Sequence, residues 1–454
     1  MITPMNPTTG AALPSHAELD NAALKAALKA SGAAFAEWRC TSFEQRAALL
    51  RVVAQLLKER RDRFARLMAD EMGKPLAQGR AEADKCAWVC EYYAEHGAGF
   101  LADEIVQTDF TKSLVTYQPI GVVLAIMPWN FPFWQVIRVA APTLMAGNVV
   151  ALKHAANVPG CALAIEELFR DAGFPVGAFT TLLIDAPQVK AAIRHPAVQA
   201  VSLTGSVGAG RAVAKLAGER IKKTVLELGG SDAYVILKDA DLQLAADTCA
   251  ASRLINSGQS CIAAKRFIVV ESVREEFERL LVERMRAAKV GSPLEEGVAV
   301  GPLARHDLRD TLHDQVQRSI AAGARLLLGG TIPPGPGAYY TPTVLTDVRK
   351  GMAAYGEELF GPVAAIILVK NERAAIKVAN DSVFGLGAAV FTRDVVRGER
   401  IAREEIQAGS CFVNAFVKSD PRLPFGGIKE SGYGRELSHH GIREFVNAKV
   451  VSVL

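Results

Sequence analysis

The sequence predicts an α/β fold built from two units that each contain a parallel sheet. From Gly121 onward, short apolar strands alternate with helices, which is the β-α-β rhythm of a parallel sheet. A second run with the same rhythm begins near Ser231. At 454 residues the chain is long enough for two or three domains with sizeable cores. We therefore assign one sheet to each run.

The part of the chain before Gly121 is predicted to be mainly helical. Residues Leu13 to Glu71 are predicted to form two helices, because apolar residues such as Leu49 and Val53 recur with helical spacing. A further helix is predicted from Lys74 to Ala98. Residues Ser113 to Tyr117 alternate in polarity as a strand does.

Each sheet is predicted to contain five strands separated by helices. The first set is Val122–Met127, Asn148–Leu152, Thr180–Ile184, Ala200–Leu203 and Val225–Leu226, with helices at Pro159–Ala172 and Ala209–Ala217. The second set is Ala233–Leu237, Ala264–Val270, Val363–Lys370, Gly387–Phe391 and Ser410–Asn414, with helices at Ala240–Asn256, Glu275–Ala288, His306–Ala322 and Glu372–Asn380. The apolar tail Lys449–Leu454 is predicted to be a strand without a nearby partner, which favours pairing with another subunit.

Composition excludes several classes of protein. A net charge of +4 with scattered Lys and Arg does not indicate a nucleic-acid partner. We find no signal peptide and no apolar run long enough to cross a membrane. Seven cysteines form a poor disulfide framework, so a reducing cytoplasm is expected. Cys86 and Cys90 lack a partner pair of Cys or His, so no metal site is predicted.

Cys261 and Glu227 are the strongest candidates for catalysis. A thiolate attacks carbonyl groups, and a carboxylate with a raised pKa activates water near neutral pH. Taken alone, each has an ordinary alternative, since a free cysteine is usually a small buried apolar residue. Glu227 follows an apolar strand and stands between Leu226 and Leu228, which makes a simple surface position less favourable.

Three further segments carry weaker signals. Asn130, held between Pro128 and Pro132, is suited to donate to an oxyanion, although Asn is also common in turns. The glycine-rich segment 204–210 follows a strand and opens a helix, as phosphate-binding turns do, but it lacks the G-x-G-x-x-G spacing. Lys153 ends a strand at the edge where ribose or phosphate binds in parallel sheets.

Together these segments resemble the aldehyde dehydrogenase superfamily, whose members oxidise aldehydes to carboxylic acids with NAD or NADP. The resemblance covers nearly the whole chain and is closest to a bacterial succinate-semialdehyde branch. Six motifs in order carry it: PWNFP at 128–132, LTGS at 203–206, LELGG at 226–230, GQSC at 258–261, EELFGPV at 357–363 and PFGGIKESGYGRE at 424–436.

The resemblance implies a role for each of three catalytic residues. Cys261 is the nucleophile, Glu227 is the general base, and Asn130 donates to the oxyanion together with the Cys261 backbone N–H. A thioester then forms on Cys261 and is hydrolysed by water that Glu227 activates. Because this base is present, the resemblance favours hydrolysis over acyl transfer to coenzyme A.

The resemblance also implies a binding site for NAD or NADP. Lys153 would contact the adenosine-side ribose, Glu358 the nicotinamide-side ribose, and Ser206 the pyrophosphate. The full set of expected contacts is Met127, Trp129, Lys153, Ala156, Gly205, Ser206, Leu228, Gly229, Glu358 and Phe360. Typical NAD-preferring members have a Glu where this chain has Ala156, so we expect NADP to be usable, with Lys153 and His154 attracting its 2′-phosphate.

Substrate selection is predicted to depend on Arg138. In the succinate-semialdehyde branch an Arg at this place binds the distal carboxylate, although an ion pair to a neighbouring element is the alternative. The other expected contacts are Phe131, Ile255, Ser419 and Phe425. Ile255 stands where some relatives have a second Arg, so glutarate semialdehyde and apolar or aromatic aldehydes remain open as substrates.

The resemblance finally implies the domain organisation. Residues 1–98 and 120–229 would bind NAD(P), residues 230–425 would form the catalytic domain, and residues 99–119 and 440–454 would form a small β arm for oligomerisation. A homodimer or homotetramer is expected. A non-catalytic structural or binding protein on the same scaffold is the alternative of another class, and the presence of Cys261, Glu227 and Asn130 argues against it.

Overall fold

The computed structural model describes residues 1–454 and contains fifteen α-helices. They are α1 Asn21–Trp38, α2 Phe43–Glu59, α3 Arg61–Met72, α4 Leu76–Phe100, α5 Trp134–Met145, α6 Pro159–Asp171, α7 Ala186–Arg194, α8 Val207–Gly218, α9 Leu242–Leu254, α10 Arg274–Ala287, α11 His306–Ala321, α12 Ala353–Gly356, α13 Glu372–Asn380, α14 Val395–Arg400 and α15 Ser438–Arg443. No helix is both long enough and apolar enough to cross a membrane.

Eighteen strands accompany the helices. They are β1 Glu104–Ile105, β2 Lys112–Pro119, β3 Val122–Met127, β4 Val149–His154, β5 Phe179–Thr181, β6 Val198–Thr204, β7 Lys223–Glu227, β8 Ala233–Ile236, β9 Arg266–Val270, β10 Arg325–Leu328, β11 Thr343–Thr346, β12 Val363–Val369, β13 Phe384–Gly385, β14 Gly387–Phe391, β15 Ser410–Val413, β16 Ile428–Lys429, β17 Gly432–Tyr433 and β18 Val446–Val453.

The first large sheet has six strands in the order β17-β7-β6-β3-β4-β5. Five of these strands run parallel to one another: β7, β6, β3, β4 and β5. The edge strand β17 pairs antiparallel with β7. The carboxyl ends of β3, β6 and β7 therefore meet at one edge, where ligands bind in sheets of this kind. The loop after β3, the start of α8 and the end of β7 lie at that edge.

The second large sheet has seven strands in the order β10-β11-β12-β9-β8-β14-β15. All its pairings are parallel except that of β10 with β11. Alternate residues of its central strands enter separate cores: Val235 and Ile268 pack on one face, while Ile236 and Val269 pack on the other. This double coverage confirms the predicted α/β class with two parallel sheets.

A three-stranded antiparallel sheet, β1-β2-β18, forms the arm. The predicted tail strand is present, but the expectation that it lacks a nearby partner is wrong. β18 pairs with β2 of the same chain in a continuous register from Val446 opposite Pro119 to Val453 opposite Lys112. The outer edge of β18 is unpaired, and Val450 there is 69% exposed.

The N-terminal region forms three helices rather than the predicted two. Helix α1 begins only after Asp20, whose side chain accepts a hydrogen bond from the Ala23 N–H. Helices α2 and α3 are separated at Arg60, where φ is −100° and ψ is 12°. The apolar periodicity continues across this break, because both helices turn apolar residues toward the same core, so the sequence pattern alone does not reveal it.

Candidate active site

Cys261 lies where two cavities meet. One cavity, of about 200 Å³, lies among α4, α5 and the segments around Ile255 and Phe425, and we call it the Phe425 cavity. The other, of about 180 Å³, lies at the carboxyl edge of the first sheet beside Glu358, and we call it the Glu358 cavity. Cys261 and Gln135 line both cavities. A reagent in either cavity therefore reaches the same thiol.

The segment that carries Cys261 is held in an unusual backbone conformation. Asn256, Ser257 and Gly258 have φ values of 52°, 57° and 79°, in the left-handed region that non-glycine residues seldom adopt. A Cβ at Gly258 would lie 2.2 Å from the backbone carbon of Gly361, so only glycine fits there. Ser257 Oγ accepts a hydrogen bond of 2.9 Å from the Gly301 N–H and fixes the turn.

Asn130 is bound to this segment. Its side-chain Nδ2 donates to the Gln259 carbonyl at 3.1 Å, and its Oδ1 accepts from Gln135 Nε2 at 3.0 Å. The backbone carbonyl of Asn130 accepts from Asn256 Nδ2 at 2.6 Å. One amide hydrogen of Asn130 remains free, and the Cys261 N–H has no acceptor in the protein. Two donors are thus available beside the thiol.

The Cys261 side chain is half-buried between the two cavities. Burial raises its pKa to about 12, although the nearby Lys265 ammonium favours the thiolate. Lys265 is 1% exposed and donates to the carbonyls of Ser260, Cys261 and Ala263. At neutral pH the thiol is therefore protonated, and attack on a carbonyl requires that its proton be removed.

Glu227 ends β7 and is 2% exposed. Neither of its carboxylate oxygens has a hydrogen-bond partner. Burial, followed by the negative charge of Glu436, raises its pKa to about 8. A Cβ at Gly426 would lie 2.8 Å from Glu227 Oε1, so glycine leaves the space that this carboxylate occupies. Such a buried carboxylate without partners is suited to exchange protons with water near neutral pH.

The structure does not bring Glu227 into the lining of either cavity, whereas Asn130 lines the Glu358 cavity with Cys261. Glu227 is nevertheless close enough to Cys261 for its charge to favour the protonated thiol. No hydrogen bond joins the carboxylate to the thiol.

Arg138 lines the Phe425 cavity but already has a counterion. Its guanidinium forms an ion pair with Glu436, and both side chains are about 5% exposed or less. The guanidinium carbon also lies 4.7 Å from the centre of the Phe425 ring. The structure thus contains the ion pair that is the alternative interpretation of Arg138, and the binding of a substrate carboxylate by Arg138 stays a prediction.

The other expected substrate contacts, Phe131, Ile255, Ser419 and Phe425, all line the Phe425 cavity. Phe131 and Phe425 contribute aromatic surface, and Ile255 is 36% exposed at the cavity. Ser419 is 7% exposed and accepts a hydrogen bond of 2.7 Å from Lys85 Nζ. The cavity wall is thus mostly apolar, and Arg138 and Ser419 are among its polar residues.

Seven of the ten expected cofactor contacts line the Glu358 cavity. They are Trp129, Gly205, Ser206, Leu228, Gly229, Glu358 and Phe360. Ser206 caps α8 by accepting from the Ala209 N–H, which leaves the first N–H groups of the helix directed at the cavity edge. A Cβ at Gly229 would lie 2.6 Å from Glu358 Oε2, so the glycine keeps the cavity open. These features fit a nucleotide with a pyrophosphate and a ribose hydroxyl.

The remaining three, Met127, Lys153 and Ala156, do not line this cavity. Met127 is buried, while Lys153 and Ala156 lie at the end of β4 beside the end of β3. The expectation that His154 attracts a 2′-phosphate is wrong. Its ring nitrogens lie 3.2 Å from the Met127 carbonyl and 2.9 Å from the Pro132 carbonyl, and burial lowers its pKa to about 4. His154 is neutral and supports the loop that carries Asn130.

Sequence reasoning missed several residues that build the site. Gln135 orients the Asn130 amide, Asn256 joins the two loops, and Lys265 fixes the carbonyls around Cys261. Each is an ordinary polar residue in sequence. The sequence contains one signal for two of them: Gln135 closely follows the motif at 128–132, and Asn256 closely precedes the motif at 258–261.

Comparison with known proteins assigns the family. A model of the aldehyde dehydrogenase family matches residues 1–451. A probable succinate-semialdehyde dehydrogenase [NADP(+)] of Synechocystis sp. is 50% identical over 450 residues, covering 99% of each chain. The succinate semialdehyde dehydrogenase [NAD(P)+] Sad of Escherichia coli is 46% identical over 447 residues, covering 98% of this chain and 96% of that protein. A succinic semialdehyde dehydrogenase of Streptococcus pyogenes, solved with NADP+, superimposes with a TM-score of 0.97 at 38% identity, and all of both chains is covered.

Proposed function

The chain belongs to the aldehyde dehydrogenase family and oxidises aldehydes to carboxylic acids with NAD(P), and we propose that its substrate is succinate semialdehyde. The observation that carries this proposal is the identity of 46–50% over nearly full length to relatives named for that substrate. The Phe425 cavity, of about 200 Å³, has a size suited to a short aldehyde.

In the proposed reaction the Cys261 thiol passes its proton to Glu227 through a bridging water, and the thiolate adds to the aldehyde carbon. The free amide hydrogen of Asn130 and the Cys261 N–H stabilise the oxyanion that forms. NAD(P), which Ser206 and Glu358 would hold in the Glu358 cavity, would accept the hydride. The acyl group then remains on Cys261 as a thioester.

Glu227 is proposed to complete the cycle by removing a proton from the water that attacks the thioester. Its pKa of about 8 supports this role, because a carboxylate so raised is a stronger base than an ordinary one and is ionised at mildly alkaline pH. Its carboxylate lies outside the cavities, so we infer that it approaches the thioester by side-chain rotation or through a bridging water.

NADP and NAD are both accepted in this account. Ala156 is exposed at the end of β4 and carries no charge that would repel a 2′-phosphate. Lys153 beside it forms no ion pair within the protein and is proposed to contact the ribose or its phosphate. The names of the two relatives, which include NADP(+) and NAD(P)+, support this dual use.

An uncharged aldehyde is the second candidate substrate. It is favoured by the ion pair between Arg138 and Glu436, which leaves that Arg without a free charge for a carboxylate. A panel of succinate semialdehyde, glutarate semialdehyde, butanal and benzaldehyde, run with NADP and with NAD, decides between the candidates. The proposal requires the highest kcat/KM for succinate semialdehyde, and a higher value for butanal or benzaldehyde contradicts it.

Self-association as a homodimer or homotetramer is also proposed. The outer edge of β18 is unpaired and exposes Val450, Val453 and Leu454, while β1 and its loop expose Ile105 and Phe110. Exposed apolar strand edges favour pairing with another chain. Sedimentation equilibrium distinguishes these states from a monomer.

A cytoplasmic location is proposed from the cysteine chemistry. All seven cysteines are free thiols in the structure, four of them fully buried on helices. Chains that keep their thiols reduced are typical of reducing compartments. Cell fractionation with immunodetection tests this location, and recovery in the membrane or secreted fraction would contradict it.

A further inference from the structure

Lys265 is a buried cation that lies against the turn carrying Cys261. The residue is 1% exposed. Its ammonium donates to three backbone carbonyls, those of Ser260 at 3.0 Å, Cys261 at 2.8 Å and Ala263 at 3.2 Å. An ammonium has three N–H donors, so these bonds use all of them. Lys265 therefore acts through the peptide groups that it binds.

The surroundings of Lys265 stabilise its charged form. Burial lowers the pKa of Lys265, and the negative charge of Glu358 opposes this effect. Glu358 Oε1 lies 3.8 Å from Lys265 Nζ. Of the other charged groups nearby, Asp232 acts in the same direction as Glu358, whereas Arg253 acts with burial. The ion pair and the three carbonyl bonds together hold the ammonium in place.

One of the three carbonyls belongs to the same peptide group as the Cys261 N–H. The peptide bond between Ser260 and Cys261 is trans, so its C=O and N–H point in opposite directions. The Ser260 carbonyl is bound by Lys265 and also by the Ala263 N–H at 3.2 Å. The Cys261 N–H on the other side therefore points away from Lys265, and it has no acceptor in the protein.

A bond to the carbonyl oxygen also makes the N–H of the same peptide a stronger donor. Hydrogen bonds that share a peptide group polarise one another, and a charged donor has a larger effect than a neutral one. The Cys261 N–H is one of two donors available to an oxyanion beside the thiol, the other being the Asn130 amide. Lys265 thus affects the donor that the reaction uses.

We propose that Lys265 is a positioning residue for the oxyanion: by binding the Ser260 carbonyl it directs and polarises the Cys261 N–H. Lys265 lines neither the Phe425 cavity nor the Glu358 cavity, so its effect reaches the reacting atoms through the peptide. The assignment rests on the proposed function, because it presumes that an oxyanion forms on an aldehyde bound to Cys261.

The charge of Lys265 has a second effect that a test has to separate from the first. Burial raises the pKa of the Cys261 thiol, and the charge of Lys265 opposes this rise. Among the other groups that face the thiol, Arg138 lowers its pKa, while Glu358 and Glu227 raise it. Removing Lys265 should therefore slow every reaction of the thiolate, whether or not an oxyanion forms.

The test compares two reactions of the same thiol in Lys265→Met, which has a similar length and no donor. Alkylation of Cys261 by iodoacetamide, without cofactor, needs the thiolate but forms no oxyanion. Its rate constant at about pH 8, followed by mass spectrometry of the Cys261 peptide, should fall by about 3- to 10-fold. The kcat/KM for the aldehyde that the wild type oxidises best should fall by about tenfold more, because the oxyanion donor is weakened and not removed.

The difference between the two losses is a readout that a merely structural role would not move, since a misplaced thiol would slow both reactions alike. The excess loss should appear in kcat as well as in kcat/KM, because the oxyanion develops only in the transition states. NADP is kept saturating, as checked by fluorescence titration, because Glu358 lies so close to Lys265. Equal losses in the two reactions would overturn the assignment.

Lys265→Gln is a second variant, in which the side chain has no charge but keeps N–H donors. Alkylation should fall as much as in Lys265→Met, since both variants lack the charge. The kcat/KM should stay at least about threefold above that of Lys265→Met, because a neutral hydrogen bond to the carbonyl remains possible. A lower kcat/KM in Lys265→Gln than in Lys265→Met would overturn the role of the carbonyl bond.

Arg266 provides the matched control. It is the next residue, is 2% exposed and also donates to three backbone carbonyls, those of Ser231, Val378 and Ala379. None of these carbonyls belongs to the turn that carries Cys261. In Arg266→Met the losses in kcat/KM and in alkylation should agree to within about threefold. An excess as large as that in Lys265→Met would overturn the assignment. Circular dichroism of the three variants checks that they fold.

The wild-type enzyme separates this assignment from the proposed function. If complete alkylation of Cys261 leaves aldehyde oxidation intact, Cys261 does not carry the reaction, and the proposed function and the role of Lys265 fail together. If alkylation abolishes oxidation while Lys265→Met loses equally in both reactions, only the role of Lys265 is overturned.

Discussion

Replacing Arg138 by Met should destabilise the protein strongly, because it leaves the Glu436 carboxylate buried without its counterion. Arg138 is 4% exposed and Glu436 is 5% exposed, so neither group is reached by much water. Removing one partner of such a buried pair costs about 3–5 kcal/mol of unfolding free energy. Glu227 adds to the cost, since it is a second buried carboxylate near Glu436.

The cost should also depend on pH in a defined direction. Burial already raises the pKa of Glu436 above its ordinary value, and loss of Arg138 raises it further. A carboxyl whose pKa is higher in the folded than in the unfolded state loses stability as pH rises. The destabilisation by Arg138→Met should therefore grow as pH rises above the ordinary range of a carboxyl group.

Urea denaturation followed by circular dichroism and fluorescence measures this effect. The double variant Arg138→Met, Glu436→Gln removes both charges and should recover stability to within about 1–2 kcal/mol of the wild type. If Arg138→Met unfolds at the wild-type urea concentration and loses activity only on succinate semialdehyde, Arg138 binds substrate and the ion-pair account is refuted.

Three further predictions concern the chemistry. Cys261→Ala should abolish NAD(P)H formation while fluorescence titration shows unchanged cofactor affinity; steady turnover in this variant would exclude the nucleophile assignment. Glu227→Gln should give a burst of NAD(P)H, after which its steady rate should be at least about 100-fold below that of the wild type. The steady rate of the wild type should decline as pH falls through about 8, because Glu227 becomes protonated there. Ala156→Glu should weaken the use of NADP more than that of NAD by about 1–4 kcal/mol of repulsion, and equal kcat/KM losses with both cofactors would place the 2′-phosphate elsewhere.

Much of the fold could be predicted because buried parallel strands have a clear sequence pattern. Val122–Met127 and Gly387–Phe391 were predicted with their observed bounds, since both are apolar strands flanked by turn residues. β10, Arg325–Leu328, was missed because it is a short, partly exposed edge strand with little apolar contrast. The break between α2 and α3 was missed because the apolar stripe continues across it.

The candidate site was predictable where motifs are local and unpredictable where charges meet across the chain. Cys261 and Asn130 lie in short motifs and come together as expected. The counterion of Arg138 is Glu436, which is distant in sequence, so no local sequence pattern predicts their ion pair. Lys85 has the opposite property: only the packed structure shows that this ordinary helix lysine has no counterion.

The central claim is that an acyl group is carried on Cys261 and released by Glu227. Intact-mass and peptide mass spectrometry of Glu227→Gln, mixed with succinate semialdehyde and NADP, tests it most directly. The account predicts the added mass of one succinyl group, located on the peptide that contains Cys261 and absent in Cys261→Ala. Steady production of succinate by Glu227→Gln at the wild-type rate, with no adduct on Cys261, would contradict the account.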